Sequence, residues 1–234
     1  MTSGSASPTR LGVMISGRGS NLVAIHRAMR SGILPEATLA RVVVNHAGTQ
    51  GERYCAEQQL PVTCLEASAY ENRAAFDAAV RDLLLNDDVT LVALAGYDRI
   101  ITPVLLEAFA GRILNIHPSL LPAYGGKNMV GLRVHQAVIE AGETLSGCTV
   151  HGVTDVVDGG PILAQARVAV EKEDTPELLA HRVLMMEHQL YPQAIAAYIR
   201  SGFNAENMRA GLAGTAPRLP PIELFATTAE EIVS

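Results

Sequence analysis

The sequence predicts a doubly wound α/β fold, with a mostly parallel sheet and helices on both faces, and three observations predict it. Short apolar runs alternate strictly with segments of helical periodicity between residues 11 and 116. The later runs, such as Leu91-Val92-Ala93-Leu94-Ala95, lack polar alternation, as strands buried on both faces do. Several runs end abruptly in glycine or polar residues, and the carboxyl ends of parallel strands are where such a sheet holds its ligands.

The first strand, over 11–15, is followed by Ser16-Gly17-Arg18-Gly19-Ser20-Asn21-Leu22, which opens a helix over 22–30. Two glycines allow close backbone approach, and a helix start offers unpaired amides at the positive end of the dipole, a combination suited to phosphate. The competing reading is a tight turn with Ser20 as N-cap. The loop is not a dinucleotide fingerprint, because Leu22 stands where a third glycine is required and Asn45-His46, not an acid, follows the second strand. A phosphomonoester is therefore the expected ligand. Strands over 41–44 and 62–65 bracket a helix over 52–59. In the next helix, over 73–85, Ala75, Phe76, Ala79, Val80 and Leu83 form an apolar face, with Asp77, Arg81 and Asp82 elsewhere. A strand over 91–95, a helix over 103–109 and a strand over 113–116 complete the alternating part.

Beyond His117 the pattern changes. Gly125-Gly126-Lys127-Asn128 reads as a loop, 134–141 as a short helix, and 148–153 and 161–170 as two strands around a turn at Asp158. A long helix runs over 175–200, capped near Asp174 or Thr175 with Pro176 at its start. Polar, proline-rich sequence over 201–234 reads as an irregular tail, and Ser/Gly/Pro-rich sequence over 1–10 as a disordered extension. No composition break or internal repeat divides the chain, so one domain is expected over 11–200, with a phosphate-binding half over about 11–112 and a catalytic half over 113–200.

With 234 residues the chain is long enough for such a core. Its 18 basic and 24 acidic side chains leave a net charge of −6, which argues against nucleic acid as a partner and means that an anion needs local help from amides or arginines. Cys55, Cys64 and Cys148 have no CxxC spacing and read as free thiols of a reducing compartment. With no apolar run of membrane-spanning length and no signal peptide, a cytoplasmic protein without a membrane partner is expected. His117, His135 and His151 are far apart in sequence and read as structural, so no metal is expected.

The most informative segments are Asn115-Ile116-His117-Pro118-Ser119 at the end of a strand and Asp155-Val156-Val157-Asp158-Gly159-Gly160 on a turn. Asn donates to a developing oxyanion, His donates or shuttles a proton, and Asp keeps the imidazole charged and oriented; the trio suits acyl or formyl transfer. Either segment alone has an ordinary explanation, a structural histidine or a common turn.

Read together, Ile15-Ser16-Gly17-Arg18-Gly19-Ser20-Asn21-Leu22, Leu94-Ala95-Gly96-Tyr97, Leu114-Asn115-Ile116-His117-Pro118-Ser119-Leu120-Leu121-Pro122, Asp158-Gly159-Gly160-Pro161 and Glu187-His188 with Tyr191-Pro192 resemble the phosphoribosylglycinamide formyltransferases, in that family's order from residue 11 to residue 200. The resemblance implies a Rossmann-like formyltransferase fold and transfer of a formyl group from 10-formyltetrahydrofolate, as co-substrate, to the amine of glycinamide ribonucleotide, in purine biosynthesis. It implies Asn115, His117 and Asp158 as the catalytic residues. It implies Gly19, Ser20, Asn21, Arg73 and Glu187 for the nucleotide, the last on the ribose hydroxyls. Arg99, Ile100, Ile101, Asn115, Thr154, Asp155 and Asp158 are implied for the folate. Two departures stand out: Tyr97-Asp98-Arg99 where the family often has Phe-Met-Arg, and an insert over 125–132 whose Lys127 reads as a solvated lysine. The alternatives are a formyltetrahydrofolate hydrolase, which typically carries an N-terminal regulatory domain where only ten residues precede the first strand here, a methionyl-tRNA formyltransferase, which needs a basic C-terminal domain, and a non-enzymatic nucleotide-binding module. A homodimer is left open.

Overall fold

The structure is a computed structural model that describes residues 8–206 and 208. The expected extension at 1–7 and the tail at 207 and 209–234 lie outside the described residues.

Seven strands form one sheet in the order β3-β2-β1-β4-β5-β6-β7. They are β1 (Thr9–Ile15), β2 (Ala37–Val44), β3 (Val62–Cys64), β4 (Leu91–Leu94), β5 (Ile113–His117), β6 (Leu145–Gly152) and β7 (Ile162–Ala169). The first five are parallel, β6 pairs antiparallel with β5, and β7 pairs antiparallel with β6. The helices are α1 (Ser20–Arg30), α2 (Gln50–Glu57), α3 (Arg73–Asn86), α4 (Pro103–Ala108), α5 (Leu132–Glu140) and α6 (Pro176–Arg200). Expected and observed elements agree in kind and order. The edges differ: β1, β2 and β6 start earlier than their apolar runs, and a 3-10 turn at Ala67–Ala69 precedes α3. Ladder hydrogen bonds extend a strand into polar sequence that hydropathy alone does not mark.

Burial on both faces follows from the two-residue period of the strands. Leu11, Val13, Ile15, Val42, Val44, Leu114 and Ile116 face one core with α1 and α6, whereas Met14, Val43, Val92 and Ile113 face a second core with Phe76 and Val80 of α3 and Leu105 of α4. The chain order reverses between β1 and β4, so their carboxyl ends open the crevice where a doubly wound sheet binds ligands.

Helix α6 crosses the first core. Tyr191 is completely buried, and its hydroxyl lies 3.0 Å from the carbonyl oxygens of both Leu94 and Leu114, tying the helix to the ends of β4 and β5. Pro192 inside the helix leaves one carbonyl a turn earlier without its N–H partner. Past α6 the described part of the tail is not irregular: Met208 donates its amide to the Asn204 carbonyl in a helical turn, and its side chain is buried in the first core.

Candidate active site

Strand β5 carries Asn115 and His117 to its carboxyl end, and the following loop is fastened to β6 and β7. Thr149 Oγ1 donates to the Ser119 carbonyl at 2.6 Å and accepts the Leu121 amide at 3.0 Å, while Gln165 Nε2 donates to the Leu121 carbonyl at 2.9 Å. The loop then turns back, placing the Tyr124 carbonyl 2.9 Å from His117 Nε2. A carbonyl only accepts, so Nε2 carries hydrogen and Nδ1 faces the cleft, 3.5 Å from Asp158 Oδ2.

Asp158 has a φ of 54°, a left-handed conformation that costs an L-residue energy and that Asp tolerates better than most. The turn is kept tight by glycines: a Cβ at Gly160 would overlap the Gly152 carbonyl oxygen. Its carboxylate accepts the Gly126 amide at 2.9 Å. Burial raises the Asp158 carboxyl, but His151, His117 and Gly126 together overcome it, so the group lies below its ordinary value.

His151 stands opposite Asn115 in the antiparallel β5–β6 register. Its Nδ1 lies 2.9 Å from the Gly152 carbonyl and must therefore carry hydrogen, leaving Nε2, when the ring is neutral, to accept Asn115 Nδ2 at 3.1 Å. The same nitrogen is 3.6 Å from Asp158 Oδ1. His151, which its spacing in the sequence marks only as a structural histidine, therefore stands at this cluster. Only the strand register, which residue spacing does not reveal, brings it there.

The expectation that Asp158 keeps His117 cationic is corrected. Burial lowers the His117 pKa more than Asp158 and the Tyr124 carbonyl raise it, with His151 adding to the lowering, so the resting imidazole lies below its usual range.

These groups open into a cleft of about 410 Å³ lined also by Asp98, Arg99, Ile100, Ile101, Val153, Thr154 and Val157. Asp155 is not among its lining residues. The insert lines it too, from Gly126 to Gly131, so Lys127, though exposed, sits on the cleft rim. Arg99 is positioned by stacking over Phe76, 4.8 Å from the ring centroid.

A second cavity, of about 640 Å³, lies between α1 and α6 and is lined by Arg18, Ser20, Arg27, Gln50 and His188 among others. Gly19, not Ser20, is the N-cap of α1, with a φ of 70° and no capping side chain, and no acid occupies the first turn. The first amides of α1 therefore have no intrahelical acceptor and point to where an anion would sit. A Cβ on Gly19 would come within 2.9 Å of Gly51 Cα, so this loop needs glycine for packing as well as for access. The Asn21 side chain turns inward, donating to Glu187 Oε2 at 2.7 Å, which leaves its backbone amide for an anion. Burial pushes the Glu187 carboxyl up to about 7, against the lowering hydrogen bond from Asn21. Beside it, His188 Nε2 is buried with no hydrogen-bond partner among the described residues. Its adjacency to Glu187 was the available signal that it belongs to the site.

The structure does not bring Arg73 into this cavity. It stands exposed at the first position of α3, one turn before Phe76, on the sheet face opposite α1. Among the described residues, no group of three or more His, Cys, Asp or Glu side chains is arranged to hold a metal ion, and no helix is long and apolar enough to cross a membrane.

Known proteins resemble this chain in sequence and in fold. The sequence matches the formyl transferase family over residues 9–195. It is 39% identical over 207 residues to phosphoribosylglycinamide formyltransferase of Haemophilus influenzae, covering 88% of this chain and 95% of that protein. It is also 39% identical over 189 residues to the trifunctional purine biosynthetic protein adenosine-3 of Bos taurus, covering 80% of this chain but 18% of that longer protein. The crystal structure of glycinamide ribonucleotide transformylase 1 from Symbiobacterium toebii superposes with a TM-score of 0.79 at 41% identity, over 85% of this chain and 93% of the other.

Proposed function

The chain belongs to the formyl transferase family and within it to the phosphoribosylglycinamide formyltransferases, and on that premise we propose how its own residues perform the reaction. The enzyme transfers the formyl group of 10-formyltetrahydrofolate to the amine of glycinamide ribonucleotide, giving formylglycinamide ribonucleotide and tetrahydrofolate in purine biosynthesis. The observation that carries the residue assignment is the convergence of Asn115, His117 Nδ1 and Asp158 in one cleft.

The amine nitrogen attacks the formyl carbon, and negative charge develops on the formyl oxygen. Asn115 Nδ2 donates to that oxygen, a contribution of about 2.7–4 kcal/mol in comparable sites. Since the resting His117 imidazole is biased toward its neutral form, its bare Nδ1 receives the proton that the amine loses. The resulting imidazolium lies against Asp158 and donates to the oxyanion. Collapse of the tetrahedral intermediate breaks the bond to the folate nitrogen, which takes up a proton, so none is gained or lost overall. His151 accepts the Asn115 amide and stands 3.6 Å from Asp158 Oδ1, keeping donor and carboxylate in register.

The nucleotide phosphate sits on the backbone amides of Gly19, Ser20 and Asn21, and Glu187 receives the ribose hydroxyls. Arg99, Ile100, Ile101 and the loop 154–158 receive the pterin, in a cleft whose apolar walls and polar rim suit a planar heteroaromatic ring. For Arg73 a role toward the nucleotide rests on the resemblance alone, since it stands on the opposite sheet face. Three unpaired thiols fit the cytoplasm as its location. The test is release of tetrahydrofolate from 10-formyltetrahydrofolate as a function of added glycinamide ribonucleotide. Release should require the nucleotide in stoichiometric amount; release without it would indicate a hydrolase.

A further inference from the structure

Asp98 stands where the resembling family often has a methionine, and its carboxylate, though half-exposed, meets three side chains at the crevice. Its Oδ1 accepts Ser16 Oγ at 2.8 Å and Asn45 Nδ2 at 2.8 Å, and its Oδ2 lies 3.0 Å from His46 Nε2. Its own amide donates back to Ser16 Oγ at 2.9 Å, and the Ser16 amide donates to the Gly96 carbonyl at 3.1 Å. Ser16 follows β1, Asn45 and His46 follow β2, and Asp98 follows β4. One side chain thus joins the ends of three neighbouring strands where the chain order reverses.

We propose that Asp98 is a positioning residue that couples the nucleotide and folate subsites, by fixing the loop after β1 against the loop after β4. The proposal rests on the formyl-transfer reading above. On one side, Ser16 begins the loop whose glycines lead into the amides of α1. On the other, Asp98 directly precedes Arg99 and Ile100 on the cleft wall. Asn45 is completely buried, so its amide is fixed and gives the carboxylate an immobile donor. Burial raises the Asp98 carboxyl, and the hydrogen bonds from His46, Asn45 and Ser16 overcome this, holding the group ionised and each donor oriented. A methionine side chain would accept none of these bonds comparably. The backbone bond from Ser16 to Gly96 would then be left to hold the two loops.

Coupling between sites is reciprocal, and that gives the test. Ser16→Ala, on the nucleotide side, should raise the KM for 10-formyltetrahydrofolate as well as that for glycinamide ribonucleotide, each about 3–10-fold, with kcat changed by less than about 3-fold. Asp98→Ala should give the same double effect, and Ser16→Ala with Asp98→Ala together should be little worse than either alone. Asp98→Asn, which keeps an acceptor oxygen for Ser16 and Asn45 but not the charge facing His46, should recover part of the loss. It and Ser16→Ala carry the test if Asp98→Ala does not fold. Effects confined to the folate KM for Asp98 variants and to the nucleotide KM for Ser16→Ala would overturn the coupling. Calorimetric binding of 5-formyltetrahydrofolate, without nucleotide, separates the two readings. Weaker binding by Ser16→Ala supports the coupling, and unchanged binding overturns it alone. Wild-type protein that binds no folate overturns the formyl-transfer reading and the coupling with it.

Discussion

His117 presents one nitrogen to a carbonyl and the other to a carboxylate, and this division decides its chemistry. Because the Asp158 charge opposes the burial that lowers the ring, Asp158→Asn should move the His117 titration, followed by NMR, to still lower pH. Turnover should fall by about 10²-fold or more, and the double variant with His117→Ala should be little worse than the poorer single one. An unmoved titration would break the pair. Glu187 offers a second test. Its folded pKa, raised to about 7, lies above an ordinary 4.5, so its contribution to stability is fully present below pH 4.5 and is lost as pH rises through 7. Glu187→Gln, which keeps an acceptor for Asn21, should therefore unfold in urea at a higher midpoint than wild type at pH 8, by about 1–3 kcal/mol, with the gap closing toward pH 5. Equal midpoints at both values would rule out a buried ionised acid.

At the scale of elements, the anchoring of α6 by Tyr191 is the simplest to break. Tyr191→Phe removes the donor shared by two strand carbonyls and should cost about 1–2 kcal/mol in urea unfolding. A change within error would mean that water replaces the hydroxyl. Gly160→Ala acts differently: the added Cβ meets the Gly152 carbonyl, so the turn must shift and carry Asp158 with it, lowering kcat by about 10-fold or more while the core stays folded. Wild-type turnover in that variant would show the turn to be slack. Elements of this kind were legible in the sequence because period-2 and period-3.6 patterns report burial directly. The Asn115, His117 and Asp158 segments were legible for a related reason, since polar residues closing an apolar run mark a strand's exit. His151 and the Tyr124 carbonyl were not. One depends on which strand residue faces which across an antiparallel pair, and the other is a backbone atom placed by the path of a loop.

For the whole molecule, the balance of buried titratable groups sets the pH range of stability. His135 is buried with its Nδ1 lacking a partner among the described residues, and burial, aided by repulsion from His117 when that ring is protonated, pushes its pKa down to about 4. A lowered histidine contributes stability that is present above pH 6.5 and lost as pH falls through the folded value, about 3 kcal/mol for this shift. His135→Leu should lose less stability than wild type between pH 7 and pH 5, and parallel losses would assign the acid sensitivity to other groups. The contact between Asn21 and Glu187 spans 166 positions of the chain. During synthesis, the loop proposed to hold the phosphate leaves the ribosome well before its partner carboxylate, which follows only when α6 is made. A nascent chain ending before α6 therefore cannot assemble the nucleotide site, however well β1 and α1 have formed, so substrate recognition arises late, together with the docking that completes the core.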